Sequence, residues 1–234
     1  MRQKLVPGIV GISTYVDFAY QKAMQLAAVE AAGADGPINR LRSVVVTLDF
    51  HLLIENLRAN KRADAEAQVT EAIDTLARAG ADFIVVTSGT TSTLAGPARE
   101  RVKLPFLDLA ASCFKPKPPA APVGLLATGY TVKAGQFDAA AGAKMTVPKD
   151  KTQQRVDQAI FGDLVRGNPG RASIDIFREA LAELTAAGAK SVILGNTDLT
   201  LVATELQRTC TVPLIDSTTS HARDAARAAL SGSV

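Results

Sequence analysis

The chain says the same thing twice at a fixed distance. Residues 79–94 read AGADFIVVTSGTTSTL and residues 187–202 read AGAKSVILGNTDLTLV. The shift that carries position 79 to 187 also carries Pro105 to Pro213 and Asp108 to Asp216, in KLPFLD and TVPLID. More loosely, GIVGIS from Gly8 matches GLLATG from Gly124. Two blocks sharing one offset predict two homologous lobes facing each other about a pseudo-twofold axis, each building the same strand-to-loop corner.

Between the repeats, short β-branched runs alternate with alanine-rich stretches. Strands are expected at residues 5–12, 44–49, 83–87, 106–109, 123–127, 144–147, 191–194 and 214–217. The stretches RADAEAQVTEAIDTLARAGA and SIDIFREALAELTAAGAK carry apolar residues three and four apart, the helical period. This alternation predicts an α/β fold of two Rossmann-like lobes, each a mostly parallel sheet flanked by helices. The runs VVV and FIVV suit strands covered on both faces. Each repeated strand follows AGA, where glycine suits the left-handed residue that ends a helix. The stretch KPKPPAAP fits neither helix nor central strand and reads as a stiff linker. The expected division is 1–114, a linker at 115–122, and 123–234, with the C-terminal helix able to pack back on the first lobe.

Composition narrows the function. A formal charge of +3, with basic and acidic residues interspersed, does not favour nucleic acid. No apolar run approaches a membrane span and the N-terminus does not read as a signal peptide. Cys113 and Cys210, with His51 and His221, make neither a disulfide framework nor a metal spacing. A cytoplasmic protein with no metal is expected.

Ligands of open α/β sheets bind outside the carboxyl ends of the strands. Here those ends read GIST, TLDF, TSGTTS, ATGYT, GNTD and DSTTSH. Backbone N–H groups and the hydroxyls of Ser13, Thr14, Thr87, Thr90, Thr91, Thr128 and Thr197, with Gly89 allowing close approach, suit a small carboxylate. The same hydroxyls are also ordinary helix caps.

These segments together make the chain resemble the aspartate/glutamate racemase superfamily, which includes cofactor-independent amino-acid racemases, hydantoin racemases, maleate isomerases and arylmalonate decarboxylases. GIVGISTYVDFAY is similar to that family's first-strand glycine turn and VTLDF to its second strand. ADFIVVTSGTTSTLA and AGAKSVILGNTDLTL are similar to its two catalytic loops, and KDKTQQRVDQAIFGDLVRG and VPLIDSTTSHARDAARAAL to later segments. The resemblance implies an active site at the seam between lobes, a small carboxylate or amino-acid substrate, no organic cofactor such as pyridoxal phosphate, and a homodimer. It also implies one cysteine on each loop, one thiolate removing the α-proton while the opposite thiol supplies another.

Neither loop has a cysteine. The resemblance aligns Ser88 (or Thr87, in relatives with one extra residue) with the first thiol and Asn196 with the second, in GNTD where the family reads GCTE or GCTH. A serine hydroxyl is a far weaker acid than a thiol, and an asparagine amide does not titrate. Thiol-based racemisation is therefore not expected. Asn196 and Thr197 suit stabilisation of developing negative charge. Asp198 is the nearest candidate base, competing with Asp17 and Asp49, and an acid also suits a helix N-terminus. Decarboxylation, elimination or isomerisation on one face, or carboxylate binding without turnover, remain open alternatives.

The repeat's shift carries Cys113 to His221, a possible dyad if the two meet, and His221 equally suits a structural hydrogen bond. Arg42, Arg58, Arg155 and Arg166 are candidates to clamp a second carboxylate, with Arg166 in LVRGN preferred.

Overall fold

A computed structural model describes residues 3–33 and 41–234. The described chain up to Leu109 forms one compact unit with His221–Val234, and Ala110–Ser220 form the other. Residues 115–122 adopt neither helix nor strand and fall within the second unit.

In the first unit the elements run β1 (Pro7–Gly11), α1 (Thr14–Ala32), β2 (Val44–Thr47), α2 (Phe50–Arg58), α3 (Arg62–Arg78), β3 (Phe83–Val86), α4 (Gly89–Ser92), α5 (Gly96–Arg101) and β4 (Phe106–Leu107). α6 (Leu109–Ser112) leads into the second unit: β5 (Val123–Leu126), α7 (Gly129–Ala134), α8 (Gln136–Ala141), α9 (Asp150–Gly162), α10 (Arg171–Ala186), β6 (Ser191–Leu194), α11 (Ala203–Thr209) and β7 (Leu214–Asp216). α12 (Ser217–Ser231) then returns the chain to the first unit. The sheets have the orders β2-β1-β3-β4 and β5-β6-β7, and every pairing is parallel. All strands of a sheet therefore present their carboxyl ends at one edge. This is the expected α/β class.

Burial follows the two-residue period of the strands. Val10, Ile84 and Val86 pack with α3 residues such as Val69, Ile73 and Leu76. Ile9, Phe83 and Val85 pack on the other face against Tyr20, Met24 and the alanines of α12. FIVV is buried on both faces as expected, but VVV is only half-buried, because β2 lies at the sheet's margin.

The repeat is visible atom by atom. Gly80 (φ 84°) and Gly188 (φ 94°) end α3 and α10 in the left-handed region, where a Cβ would be strained. Ala81 N–H donates to Leu76 O and Ala189 N–H to Leu184 O, both at 3.1 Å. Ile84 N–H donates to Pro105 O as Val192 N–H donates to Pro213 O. A Cβ on Gly8 would meet Ala81, Ile84 and Leu76; one on Gly124 would meet Ala189, Val192 and Leu184. Each helix thus lies close on its first strand through the same four positions.

One expected strand is not formed. Residues 144–147 make only an isolated parallel bridge, Thr146 to Gly124, with Thr146 N–H donating to Val123 O and Leu125 N–H to Thr146 O. The next donor of such a ladder would be residue 148, and Pro148 has no N–H. The ladder stops there.

Candidate active site

In the first unit the expected residues gather at the carboxyl edge of β1 and β3. Ser13 is the N-cap of α1, accepting Val16 N–H, and Thr14 beside it is exposed. Ser88 is the N-cap of α4: its Oγ accepts Thr91 N–H at 3.2 Å. That contact uses a lone pair and leaves the hydroxyl proton to donate. Thr87, Gly89 and Thr91 are buried and Thr90 half-buried around it.

Beneath this loop lies Asp17, buried in the first turn of α1. Its Oδ1 accepts Ile12 N–H at 3.2 Å, its Oδ2 accepts the Thr47 hydroxyl at 2.8 Å, and Thr87 Oγ1 lies 3.4 Å from Oδ1. Burial pushes its carboxyl above the usual range, against the opposing pull of these hydrogen bonds. A Cβ on Gly11 would sit 2.1 Å from Oδ2, so only glycine leaves room for the carboxyl. Asp49, by contrast, is an exposed N-cap of α2 accepting Leu52 N–H.

In the second unit the same edge carries Thr128, Asn196, Thr197 and Asp198. Thr128 caps α7, accepting Thr131 N–H. Asn196 caps the 3-10 turn Thr197–Leu201, its Oδ1 accepting Asp198 N–H at 3.1 Å and its amide N–H groups left as donors. Ser88 and Asn196 thus occupy the same backbone role, both extended residues (ψ 130° and 129°) capping a turn after the repeated strand. Thr197 and Asp198 are buried. Thr218 Oγ1 donates to Thr197 O, and Asp216 accepts the hydroxyls of Thr200 and Thr219 with Thr218 N–H, tying the loops after β6 and β7 together. Arg166 is exposed at the end of the 3-10 turn Leu164–Arg166, which packs against the turn after Asn196.

The Thr197 hydroxyl is buried without a hydrogen-bond partner among the described residues. Such a group forfeits its hydration, a cost of about 1–3 kcal/mol. Thr197→Val is therefore expected to raise the unfolding midpoint by about 2–4 °C. An equal fall would show that the hydroxyl is satisfied in solution.

Sequence reasoning missed several contributors. Asp157 and Gln153 on α9 do for β5 part of what Asp17 does for β1: Asp157 accepts Gly129 N–H and Gln153 donates to Ala127 O. A Cβ on Gly129 would lie 2.9 Å from Asp157 Oδ2. The glycine at or just past the end of each unit's first strand, Gly11 and Gly129, was the available signal.

His221 belongs to the first unit and Cys113 to the second; both are buried. His221 Nε2–H donates to Leu107 O at 3.2 Å, and its ring stands edge-on to Tyr20 with centroids 5.5 Å apart. Burial pushes its pKa down to about 4, outweighing the Leu107 hydrogen bond and Asp108 and Asp224. It is a neutral interior histidine at pH 7. Arg155 pairs with Glu179 at 2.6 Å, while Arg42 is exposed, as is Arg58 in the last turn of α2.

Cys210 follows α11 and precedes β7, at the amino edge of the sheet whose carboxyl edge carries Asn196. A cavity of about 420 Å³ there, lined by Arg178, Leu181, Thr185 and Cys210, is therefore distinct from the Asn196 loop. Among the described residues no cluster of His, Cys, Asp and Glu could hold a metal ion, and no helix is long and apolar enough to cross a membrane.

The family model for Asp/Glu/hydantoin racemases matches residues 22–225. The chain belongs to that family. It is also similar to the crystal structure of a candidate Asp/Glu racemase from Yersinia pestis, with 25% identity over 97% of this chain and 99% of that one, at a TM-score of 0.81. An aspartate racemase homologue from Pyrococcus horikoshii matches at 21% identity and TM-score 0.74, covering 97% and 99%. An allantoin racemase from Klebsiella pneumoniae matches at 16% and 0.59, covering 99% and 90%. The last two are likenesses of fold alone. Within this racemase family, the Ser88 and Asn196 loops remain the repeated corners, and both are without sulfur.

Proposed function

We propose that the protein is a racemase-family enzyme that acts on a small carboxylate or amino acid without a cofactor, through hydrogen-bond donors and one base instead of a pair of thiols. The observation that carries this reading is the shared role of Ser88 and Asn196. Each spends its oxygen on a backbone N–H and keeps its proton or protons to donate. Neither is a base.

Removing a proton from the α-carbon pushes its electron pair into the adjoining carboxylate, and fixed donors stabilise the resulting enolate-like charge. Ser88, Asn196 and nearby N–H groups are assigned that task. Asp198, two residues beyond Asn196, is assigned the base. A single base takes and returns the proton on one face, so the α-carbon exchanges hydrogen without inverting. The family membership and the Yersinia pestis structure support racemase-type chemistry; the thiol-free corners support the one-sided form.

Incubation of D- and L-amino acids and related small acids in deuterated water, followed by NMR of the α-proton, tests this. Deuterium is expected to enter with configuration retained, and Asp198→Asn to lower its rate at least about 100-fold. Deuterium entering with inversion would indicate two-sided acid–base chemistry. Binding without exchange across the whole set would mark a carboxylate-binding protein.

A further inference from the structure

Thr87 has one hydroxyl proton and two oxygen neighbours that ordinarily only accept. Its Oγ1 lies 3.1 Å from Val10 O and 3.4 Å from Asp17 Oδ1. A carbonyl always accepts, and an ionised carboxylate does too, so with Asp17 charged one of these contacts sets two acceptors face to face. If Asp17 carries its proton on Oδ1, every group is served: Asp17 O–H donates to Thr87 Oγ1, and Thr87 O–H donates to Val10 O. Oδ1 keeps a lone pair for Ile12 N–H, and Oδ2 accepts the Thr47 hydroxyl.

We propose that Asp17 is a positioning residue of the Ser88 loop: a buried carboxylic acid that holds its proton toward Thr87 and pins three strand ends to one point. Ile12 directly follows β1 and leads to Ser13, Thr47 ends β2 before Asp49, and Thr87 directly follows β3 and precedes Ser88. The carboxyl faces two hydroxyls and backbone N–H groups from α1, β1, β2 and β3. Among the described residues no charged side chain figures in the balance of its titration, and burial, its largest influence, favours the neutral acid. Asp17 is buried and meets the strand end before Ser88 at Thr87. It acts through Thr87, and it rests on the reading that the Ser88 loop faces the substrate.

The test needs no substrate, which separates failure of this proposal from failure of the proposed function. A carboxyl that holds its proton more tightly folded than unfolded lends stability at low pH and loses it as pH rises through its folded pKa. Asp17→Asn cannot titrate. Its deficit in unfolding midpoint against the wild type is therefore expected to narrow by about 3 °C or more between about pH 4 and pH 8. His221 titrates in both proteins and cancels in the comparison.

Amide hydrogen exchange of Gly89, Thr90 and Thr91 is expected to quicken about tenfold in Thr87→Val, which cannot hold the Asp17 proton, while amides of the Asn196 loop keep their rates. A deficit that widens with rising pH would show that Asp17 serves as a carboxylate. Unaltered exchange in the Ser88 loop would show that the carboxyl does not position it. Either result overturns the proposal.

Discussion

Gly11→Ala is expected to destabilise the first unit by about 3 kcal/mol or more, lowering its unfolding midpoint by roughly 10 °C. The added methyl would lie 2.1 Å from Asp17 Oδ2, 2.6 Å from its carboxyl carbon and 2.7 Å from Oδ1. Neither partner can yield cheaply. The backbone there is the last residue of a central strand, paired with β2 and continuous with the Ile12 N–H bond to Asp17. Turning the carboxyl aside breaks its contacts with Ile12, Thr47 and Thr87 and leaves Ile12 and Thr87 buried without it, adding the cost of unmade hydrogen bonds to that of overpacking. Gly162→Ala is the control: nothing lies within 4 Å of its added carbon, it ends α9 with no positive φ, and it should be neutral or slightly stabilising. Calorimetry of both variants decides the matter, and equal midpoints would show that the carboxyl has space to move.

The second large effect is acid sensitivity through His221. The folded protein holds this imidazole neutral down to about pH 4, whereas the unfolded chain protonates it near its ordinary 6.5. Between these values the unfolded state binds the extra proton, so stability falls as pH drops, by about 1.4 kcal/mol per unit. Across the window the loss reaches about 3 kcal/mol, and it is complete near pH 4. His221→Phe keeps a ring beside Tyr20 and removes the titration. It should be less stable than the wild type at pH 7, because Leu107 O loses its donor, yet lose less stability on acidification. Denaturant midpoints at several pH values measure this directly. Parallel acid profiles for the two proteins would mean that His221 is protonated at its ordinary pH in the folded state.

Much of this arrangement can be read in the amino-acid sequence because it is local. The offset that joins Gly80 to Gly188 and Pro105 to Pro213 is carried by residues whose backbone roles depend on their nearest neighbours. The capping hydroxyls after β1, β3 and β5 are legible for the same reason. Pro148 is local as well: the proline that ends the ladder after Thr146 is a feature of sequence outweighed there by the apolar character of its neighbours.

What is not legible depends on distant partners. Nothing near Asp17 announces that Thr47 and Thr87 converge on it, since those contacts exist only once three strands lie side by side. Asp157 reaches Gly129 from α9, a helix that comes only after α7, α8 and residues 142–149. His221 follows a strand end much as Ser88 does, but α12 continues into the first unit and carries the ring into a core of Tyr20 and Leu107. Its burial is a property of that return path, which no periodicity in DSTTSHARDAARAAL reveals.

Turnover by the sulfur-free protein is the decisive measurement. Cys113→Ala combined with Cys210→Ala removes every thiol from the chain, and far-ultraviolet circular dichroism with a thermal scan confirms that the variant folds. On an acid that the wild type exchanges, the variant is expected to incorporate α-deuterium at a rate within about twofold of the parent, still without inversion. A loss of about 100-fold or more in the folded variant would place a cysteine at the reacting carbon and contradict chemistry by Ser88, Asn196 and Asp198.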